Sequence, residues 1–476
     1  MDSLLFLCAR RVAAQRPLPA LPADLYHVLF QAAFLDGRPL VLHDLVATWP
    51  FPVLNMQRLV GHRELLRDHP SQDCVEAVIQ AVVAQLRREL EEPGCDFSLR
   101  VLDMTGLSDS VAGRTTTGLS VWCSTKALAK ACVEVAAVAT ATPQSPGVDV
   151  HAHLFVDRRS YRILRDALQT GAASSLHLKC REFKAVDISA SEIVTLLESL
   201  DPSCLRRVEL CFNNLGLTGL SVILPHLSRF PELRSLKVRY SNVDVRHLMP
   251  KSAMRIRSVA RQLGMLPSLR ELNLGSSQLS GNLPWNWPSA PSFPLTSLES
   301  LELGYCFLVP ADLTFLSQSI HAPALKMLDL SFNNILRGLL EPLQLLLEET
   351  SASLLYLDLS HCHVADSHLA ALLPTLLRCS RLRFLGLYGN SLSTAAIKDL
   401  LQKTLELPDL HLVVYPVPED CYKPDQQESG WDFVVDKELL AATTVEISQI
   451  LENSGRTDIV WTYNPCVHGV LDYFSL

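Results

Sequence analysis

Between residues 205 and 415 the apolar positions return at fixed intervals. Leu205-Arg206-Arg207-Val208-Glu209-Leu210-Cys211-Phe212-Asn213 has the spacing L-x-x-L-x-L-x-x-N. Val208 and Leu210 alternate with the polar Arg207 and Glu209, the period of a strand with one buried face. Asn213 can turn its amide inward to satisfy backbone groups left open by the adjoining bend. Equivalent starts fall at Leu205, Leu233, Leu269, Leu298, Leu325, Leu354, Leu382 and Leu410, with steps of 28, 36, 29, 27, 29, 28 and 28 residues. A single copy cannot bury its apolar face, so the copies must stack.

This is the pattern of a leucine-rich repeat. A period near 28 leaves room for a full helix after each strand, which predicts an α/β leucine-rich-repeat solenoid, a horseshoe with strands inside and helices outside. The 36-residue step contains a surface excursion over Val243 to Lys251. The stretch Gly281 to Pro294, with Trp285, Trp287 and four prolines, replaces one helix by a loop.

Ahead of the array the pattern turns helical, and residues 1–98 read as a helical head. Leu4, Leu5, Cys8 and Val12 recur at helical spacing behind Ser3, a natural cap. Pro17, Pro19 and Pro22 break that helix and set a second over Ala23 to Phe34. A third is predicted over Leu40 to Thr48 and a fourth over Cys74 to Glu91. Residues 99–204 read as early, irregular repeats, with repeat spacing at Leu99 to Leu107, a strand at Val148 to Asp157, and an insertion over 108–147 around a helix near Lys126 to Ala139. Residues 205–415 are the regular repeats. Residues 416–476 form an acidic linker, Pro416 to Asp425, then a helix over Lys437 to Asn453 and an apolar cap from Trp461 to Leu476.

With 48% hydrophobic and 19% charged residues the 476-residue chain has ample core material. A net charge of −8 and a pI near 6.0 argue against nucleic-acid binding. No apolar run approaches the ~20 residues of a membrane span, and Met1 to Val12, with Arg10 and Arg11, lacks the form of a signal peptide. The 13 cysteines include no C-x-x-C pair, so reduced thiols are expected, with neither a disulfide framework nor zinc. His151-x-His153 and His361-Cys362-His363 lack a second ligand cluster and read as structural. No phosphate loop or nucleophile elbow occurs, and neither catalytic residues nor a cofactor are expected. Leu336-x-x-Leu339-Leu340, Leu343-x-x-Leu346-Leu347 and Leu369-x-x-Leu372-Leu373 match L-x-x-L-L docking motifs, but the same spacing serves helices that face a solenoid core.

The amino terminus carries a more specific pair of motifs. Ser3, Leu4, Cys8 and Val12 fit the elongin-binding box, (S/T/P)-L-x-x-x-C-x-x-x-aliphatic, of cullin-RING ubiquitin ligase receptors. Leu4 would fill a partner pocket, and the small Cys8 one turn on would let the helix lie close. Nine residues past Val12, Leu21, Pro22, Leu25 and Val28 fit the φ-P-x-x-φ-x-x-φ box of the cullin-2 class. The alternative is that both stripes are core faces of head helices, since spacing alone does not tell inward from outward.

Leu21-Pro22-Ala23-Asp24-Leu25-Tyr26, Ala33-Phe34, Val46-Ala47-Thr48-Trp49-Pro50-Phe51 and Leu99-Arg100-Val101-Leu102-Asp103 resemble the head of the PRAME family. Leu387-Tyr388-Gly389-Asn390 and the ending Asp472 to Leu476 are similar to its leucine-rich repeat-containing protein 14 branch. The resemblance covers essentially the whole chain. It implies a non-catalytic receptor of an elongin B/C and cullin-2 ubiquitin ligase, monomeric before assembly and cytoplasmic, with the nucleus as a second location. It also implies an alternative, a scaffold or inhibitor in NF-κB signalling or transcriptional repression.

Residues between the strand leucines point to the concave side. In order they are Lys179, Arg207 and Glu209, Lys237 and Arg239, Glu271 and Asn273, Glu302, Met327 and Asp329, Tyr356 and Asp358, then Phe384 and Tyr388. The face runs from basic through acidic to aromatic, which suits a protein substrate with an acidic end and an apolar anchor.

Overall fold

The computed structural model describes residues 3–60, 72–91, 97–105, 121–138, 147–171, 175–245, 250–279, 281, 297–423 and 434–465. They form two compact units, residues 1–213 with 229–233 and residues 214–228 with 234–476. Most of the expected 108–147 insertion, the Gly281 to Pro294 loop, the end of the acidic linker and most of the final cap lie outside the described residues.

The first unit starts with α1 (Leu4–Ala13), a 3-10 turn (Ala23–Leu25), α2 (Tyr26–Leu35) and α3 (Pro39–Ala47). Their junction closes on Trp49, which is 2% exposed and ringed by Tyr26, His27, Phe30 and Phe51 at centroid distances of 5.6–5.9 Å. Its indole nitrogen donates to the carbonyl of Val53 at 3.3 Å, so the one polar atom of the ring is satisfied where it is buried. Ion pairs tie the helices together: Arg10 to Asp36 at 2.7 Å, and Arg16 as a two-pronged donor to Asp44 at 2.8 and 3.1 Å. The head already carries a strand, β1 (Val53–Asn55), followed by α4 (Met56–Val60) and α5 (Gln72–Glu91). Then come β2 (Val101–Asp103), α6 (Val121–Val138), β3 (Val148–Val156), α7 (Tyr161–Thr170), β4 (Leu176–Ala185), α8 (Ala190–Ser199) and β5 (Arg207–Leu210). These five strands pair in parallel in chain order.

The second unit holds α9 (Gly216–Leu227), β6 (Ser235–Lys237), α10 (Pro250–Leu263), β7 (Glu271–Asn273), β8 (Ser300–Glu302), α11 (Pro310–Ser317), β9 (Met327–Asp329) and α12 (Leu340–Thr350). It continues with β10 (Tyr356–Asp358), α13 (Asp366–Arg378), β11 (Phe384–Gly386), α14 (Thr394–Thr404), β12 (Leu412–Val414), α15 (Lys437–Ser454) and β13 (Val460–Thr462). Its strands are again parallel and in chain order. Strand, bend, helix and return repeat through both units, so the α/β leucine-rich-repeat solenoid holds. All eight repeat-initial leucines are at most 2% exposed. Leu343, Leu346 and Leu347 of α12 and Leu369, Leu372 and Leu373 of α13 are buried, whereas in the first motif Leu336 is exposed and Leu340 half-buried.

The bend asparagines work as the spacing predicts. Asn213 donates to the carbonyls of Ala185 and Cys211 and accepts from the amide of Ile188. Asn390 donates to Leu359 and Leu387 and accepts from Cys362 and Val364. Each such amide closes two neighbouring repeats, which an apolar side chain cannot do.

Candidate interaction surfaces

Helix α1 is capped by Ser3, whose hydroxyl accepts from the amide of Phe6 at 3.2 Å. Ala9 and Ala13 face inward. Leu4 is 78% exposed, Cys8 is exposed and Val12 is half-buried; Leu5 and Leu7 add further exposed apolar surface. Three leucines in ten residues left in water make an apolar patch of the kind that proteins cover with a partner. In the second motif Pro22 is exposed and Leu21, Leu25 and Val28 are half-buried, while Tyr26, Leu29 and Phe30 turn into the core.

On the strand face of the first unit the basic groups are engaged within the chain. Lys179 pairs with Asp201. Lys184 meets Glu209 at 3.1 Å, and Arg207, only 2% exposed, lies 3.9 Å from Glu182. Arg181 donates to His151 at 3.0 Å and to Thr105 at 3.2 Å, and lies 3.7 Å from Asp103. Burial first, then the charge of Arg181, pushes the His151 imidazolium below its ordinary range.

In the second unit Lys237 sits between Glu271 at 2.9 Å and Glu302 at 3.3 Å, and Asn273 also donates to Glu302. Arg239 lies over the ring of its neighbour Tyr240 at 5.6 Å. Glu271 and Glu302 are buried, a price the pairing with Lys237 offsets. Next come Asp329 and Asp358. Burial raises both carboxyls, Asp329 to about 6 with the charge of Asp358 as second cause. Above them Met327, Tyr356, Phe384 and Val414 form a buried apolar ladder with Tyr388 and Leu412 packed against it; the Tyr356 and Phe384 rings stack at 4.2 Å and 5°. The late aromatic residues expected as an exposed anchor therefore largely pack on one another: Tyr356 and Phe384 are buried and Tyr388 half-buried.

The exposed aromatic surface lies just past the last leucine of each strand repeat, two places on at Tyr305, Phe332 and His361 and one place on at Tyr388. Tyr305 and Phe332 are each 50% exposed, and they continue through His361 to Tyr388 in four successive repeats. Neighbouring rings touch: Tyr305 to Phe332 at 6.1 Å, Phe332 stacked on His361 at 4.3 Å, and His361 edge-on to Tyr388 at 5.2 Å. Tyr305, Phe332 and His361 hold φ of 58°, 59° and 55°, a left-handed backbone that costs about 1–2 kcal/mol for a side chain of this kind. Their amides donate at 2.8 Å to the carbonyls of Ser331, Ser360 and Tyr388, so each bend is pinned by the next. Sequence reasoning missed this ridge. Its signal was the aromatic residue two places after the last repeat leucine at Phe212, Tyr305 and Phe332.

Among the described residues no group of three or more His, Cys, Asp or Glu side chains is placed to hold a metal ion. No described helix is long and apolar enough to cross a membrane.

Parallel strands, outer helices and bend asparagines define a leucine-rich-repeat protein, a fold of protein interaction. The PRAME C-terminal domain matches residues 165–474 and the PRAME N-terminal domain residues 7–111; the chain belongs to the PRAME family. Within it the chain is 42% identical over 513 residues to leucine-rich repeat-containing protein 14 of Xenopus laevis, and 41% identical over 499 residues to that of Homo sapiens, covering 100% of both chains in each case. PRAME family member 20 of Homo sapiens is 29% identical over 418 residues, covering 85% of this chain and 82% of that one.

Proposed function

We propose that this chain is the substrate-recognition subunit of a cullin-2 type RING ubiquitin ligase, with α1 gripping elongin B/C, the next turn and α2 meeting the cullin, and the strand faces holding a protein substrate. The observation that carries this reading is the orientation of α1. Leu4 and Cys8, the two most specific positions of the elongin-binding box, face solvent, while Ala9 and Ala13 fill the contact with the head. A stripe serving only the core would be turned the other way. The adaptor performs no chemistry of its own; it raises the effective concentration of the substrate near the ubiquitin-carrying enzyme. Its place of action is the cytoplasm, and it joins the complex as a single chain.

The test is co-purification of elongin B/C with the full chain and with the Leu4→Asp, Cys8→Asp double variant. Loss of elongin with an unchanged melting temperature supports the reading. Retention of elongin by the double variant removes the box assignment and leaves the scaffold or inhibitor alternative.

A further inference from the structure

On the strand face of the second unit Lys237 does not await an acidic partner, because it is held by Glu271 and Glu302. The acidic groups are in a different position. Asp329 and Asp358 are register partners on adjacent parallel strands, which places their backbones about 5 Å apart with side chains on the same face. Backbone amides orient them, Ser331 donating to Asp329 and Ser360 to Asp358, each at 2.8 Å. Among the described residues neither carboxylate has a Lys, Arg or His at ion-pair distance; Arg239 acts on Asp329 from farther away. Gly386, the next register position, makes way for the Asp358 carboxylate, which lies over it: a Cβ there would stand 2.6 Å from that group.

Three residues beyond each aspartate the chain reaches the exposed ridge, at Phe332 and His361. From Tyr305 to Tyr388 the ridge crosses three strand spacings, about 15 Å, which is the length of four or five extended residues. A surface of that length, apolar along one edge and anionic beside it, is too long for an ion.

We propose that Asp329 and Asp358, with the ridge of Phe332, His361 and Tyr388, dock an extended protein segment that presents an arginine beside a large apolar side chain. The planar guanidinium suits two carboxylates on neighbouring rungs, because its fork of donors can reach both at once and loses less hydration than an ammonium. The apolar side chain covers rings that are otherwise half in water, and the arginine can also lie flat on one of them. This deepens the ligase reading by naming a class of substrate, and it rests on that reading only for the fate of the segment once it is bound.

The experiment uses the full-length protein and three fluorescein-labelled dodecapeptides on a serine and glycine background, followed by anisotropy. One carries Arg and Leu two residues apart, one has Glu for Arg, and one has Ser for Leu. The first is expected to bind at least ~10-fold tighter than either control, a ratio set by one desolvated charge pair and one buried apolar group. Asp329→Asn with Asp358→Asn should remove the preference for Arg over Glu. Phe332→Asn, which keeps a residue tolerant of the left-handed backbone, should remove the preference for Leu over Ser. Equal binding of the Arg and Glu peptides overturns the proposal, as does unchanged discrimination in the double Asn variant, or full displacement of the Arg peptide by millimolar calcium, which would make the pair an ion site. Elongin co-purification of the same variants keeps the two proposals apart, since α1 is untouched in them.

Discussion

The imidazole of His361 occupies the space where a side chain on Gly389 would begin. A Cβ built at Gly389 would stand 2.3 Å from two atoms of that ring, and Gly389 itself has φ of +70°. The glycine thus lets His361 lie between Phe332 and Tyr388 and keeps the ridge continuous.

Gly389→Ala should lower stability by roughly 1–3 kcal/mol, the sum of left-handed strain and displacement of a stacked ring. Urea melts measure the loss. The same variant should weaken Arg-Leu peptide binding even at temperatures where it is fully folded, because the ring it displaces is part of the ridge.

Asn390→Ala should be more damaging. Its amide serves the carbonyls of Leu359 and Leu387 and the amides of Cys362 and Val364, all buried. Leaving several such groups unsatisfied costs roughly 3–5 kcal/mol in total. A drop below about 1 kcal/mol in a denaturant titration, smaller than one orphaned group, would mean that water replaces the amide.

The pH dependence of stability contains two opposed contributions in one window. Asp329, raised to about 6 from 3.8, stays protonated in the folded chain where the unfolded chain has ionised, so stability falls as pH rises from about 4 to 6. His321 is lowered from 6.5 to about 4 by burial, and its Nδ1 accepts from the amide of Leu298 at 3.1 Å. The unfolded chain takes up that proton first, so this contribution falls as pH drops from 6.5 to 4. Asp329→Asn removes the first alone. Its stability relative to the parent should be small at pH 4 and approach about 3 kcal/mol in favour of the variant by pH 7. Melts at pH 4, 5, 6 and 7 give the difference curve; a flat one refutes the assignment.

The two sides of α1 should respond differently. Ala13, 1% exposed, packs against the head, and Ala13→Leu should cost about 1–3 kcal/mol by overpacking. Leu4→Asp should change stability by less than about 0.5 kcal/mol, as surface changes do. Thermal melts of both variants separate a folding face from a docking face before any partner is tested.

The repeat register, four helices of the head and the closing helix were legible because each rests on a periodic apolar pattern of two turns or more; the five-residue α4 is too short to show one. The predicted Cys74 to Glu91 and Lys437 to Asn453 helices differ from α5 and α15 by one or two residues at an end. Strand β1 was not legible: Val53 to Asn55 is three residues long and comes after Trp49-Pro50-Phe51-Pro52, which reads as a helix stop. The strand faces were legible in identity but not in exposure. Arg207, Glu271 and Phe384 are buried by the side chains of neighbouring repeats, and a single repeat does not contain that information. The ridge was hidden for another reason. Left-handed bends are ordinarily assigned to Gly or Asn, whereas Tyr305, Phe332 and His361 are held there by hydrogen bonds to the next repeat.

Two of the bends are built around a thiol where others use an asparagine. The Cys306 sulfur donates to the carbonyl of Leu274 at 3.3 Å and the Cys362 sulfur to that of Leu330 at 3.2 Å, and burial pushes both thiols up to about 12. A group so slow to ionise is chemically silent while its bend is closed, and regains ordinary thiol reactivity only during excursions that open it. The rate at which a thiol reagent modifies Cys306 and Cys362, against the exposed Cys8 as internal standard, therefore times the breathing of individual repeats without any label being engineered in.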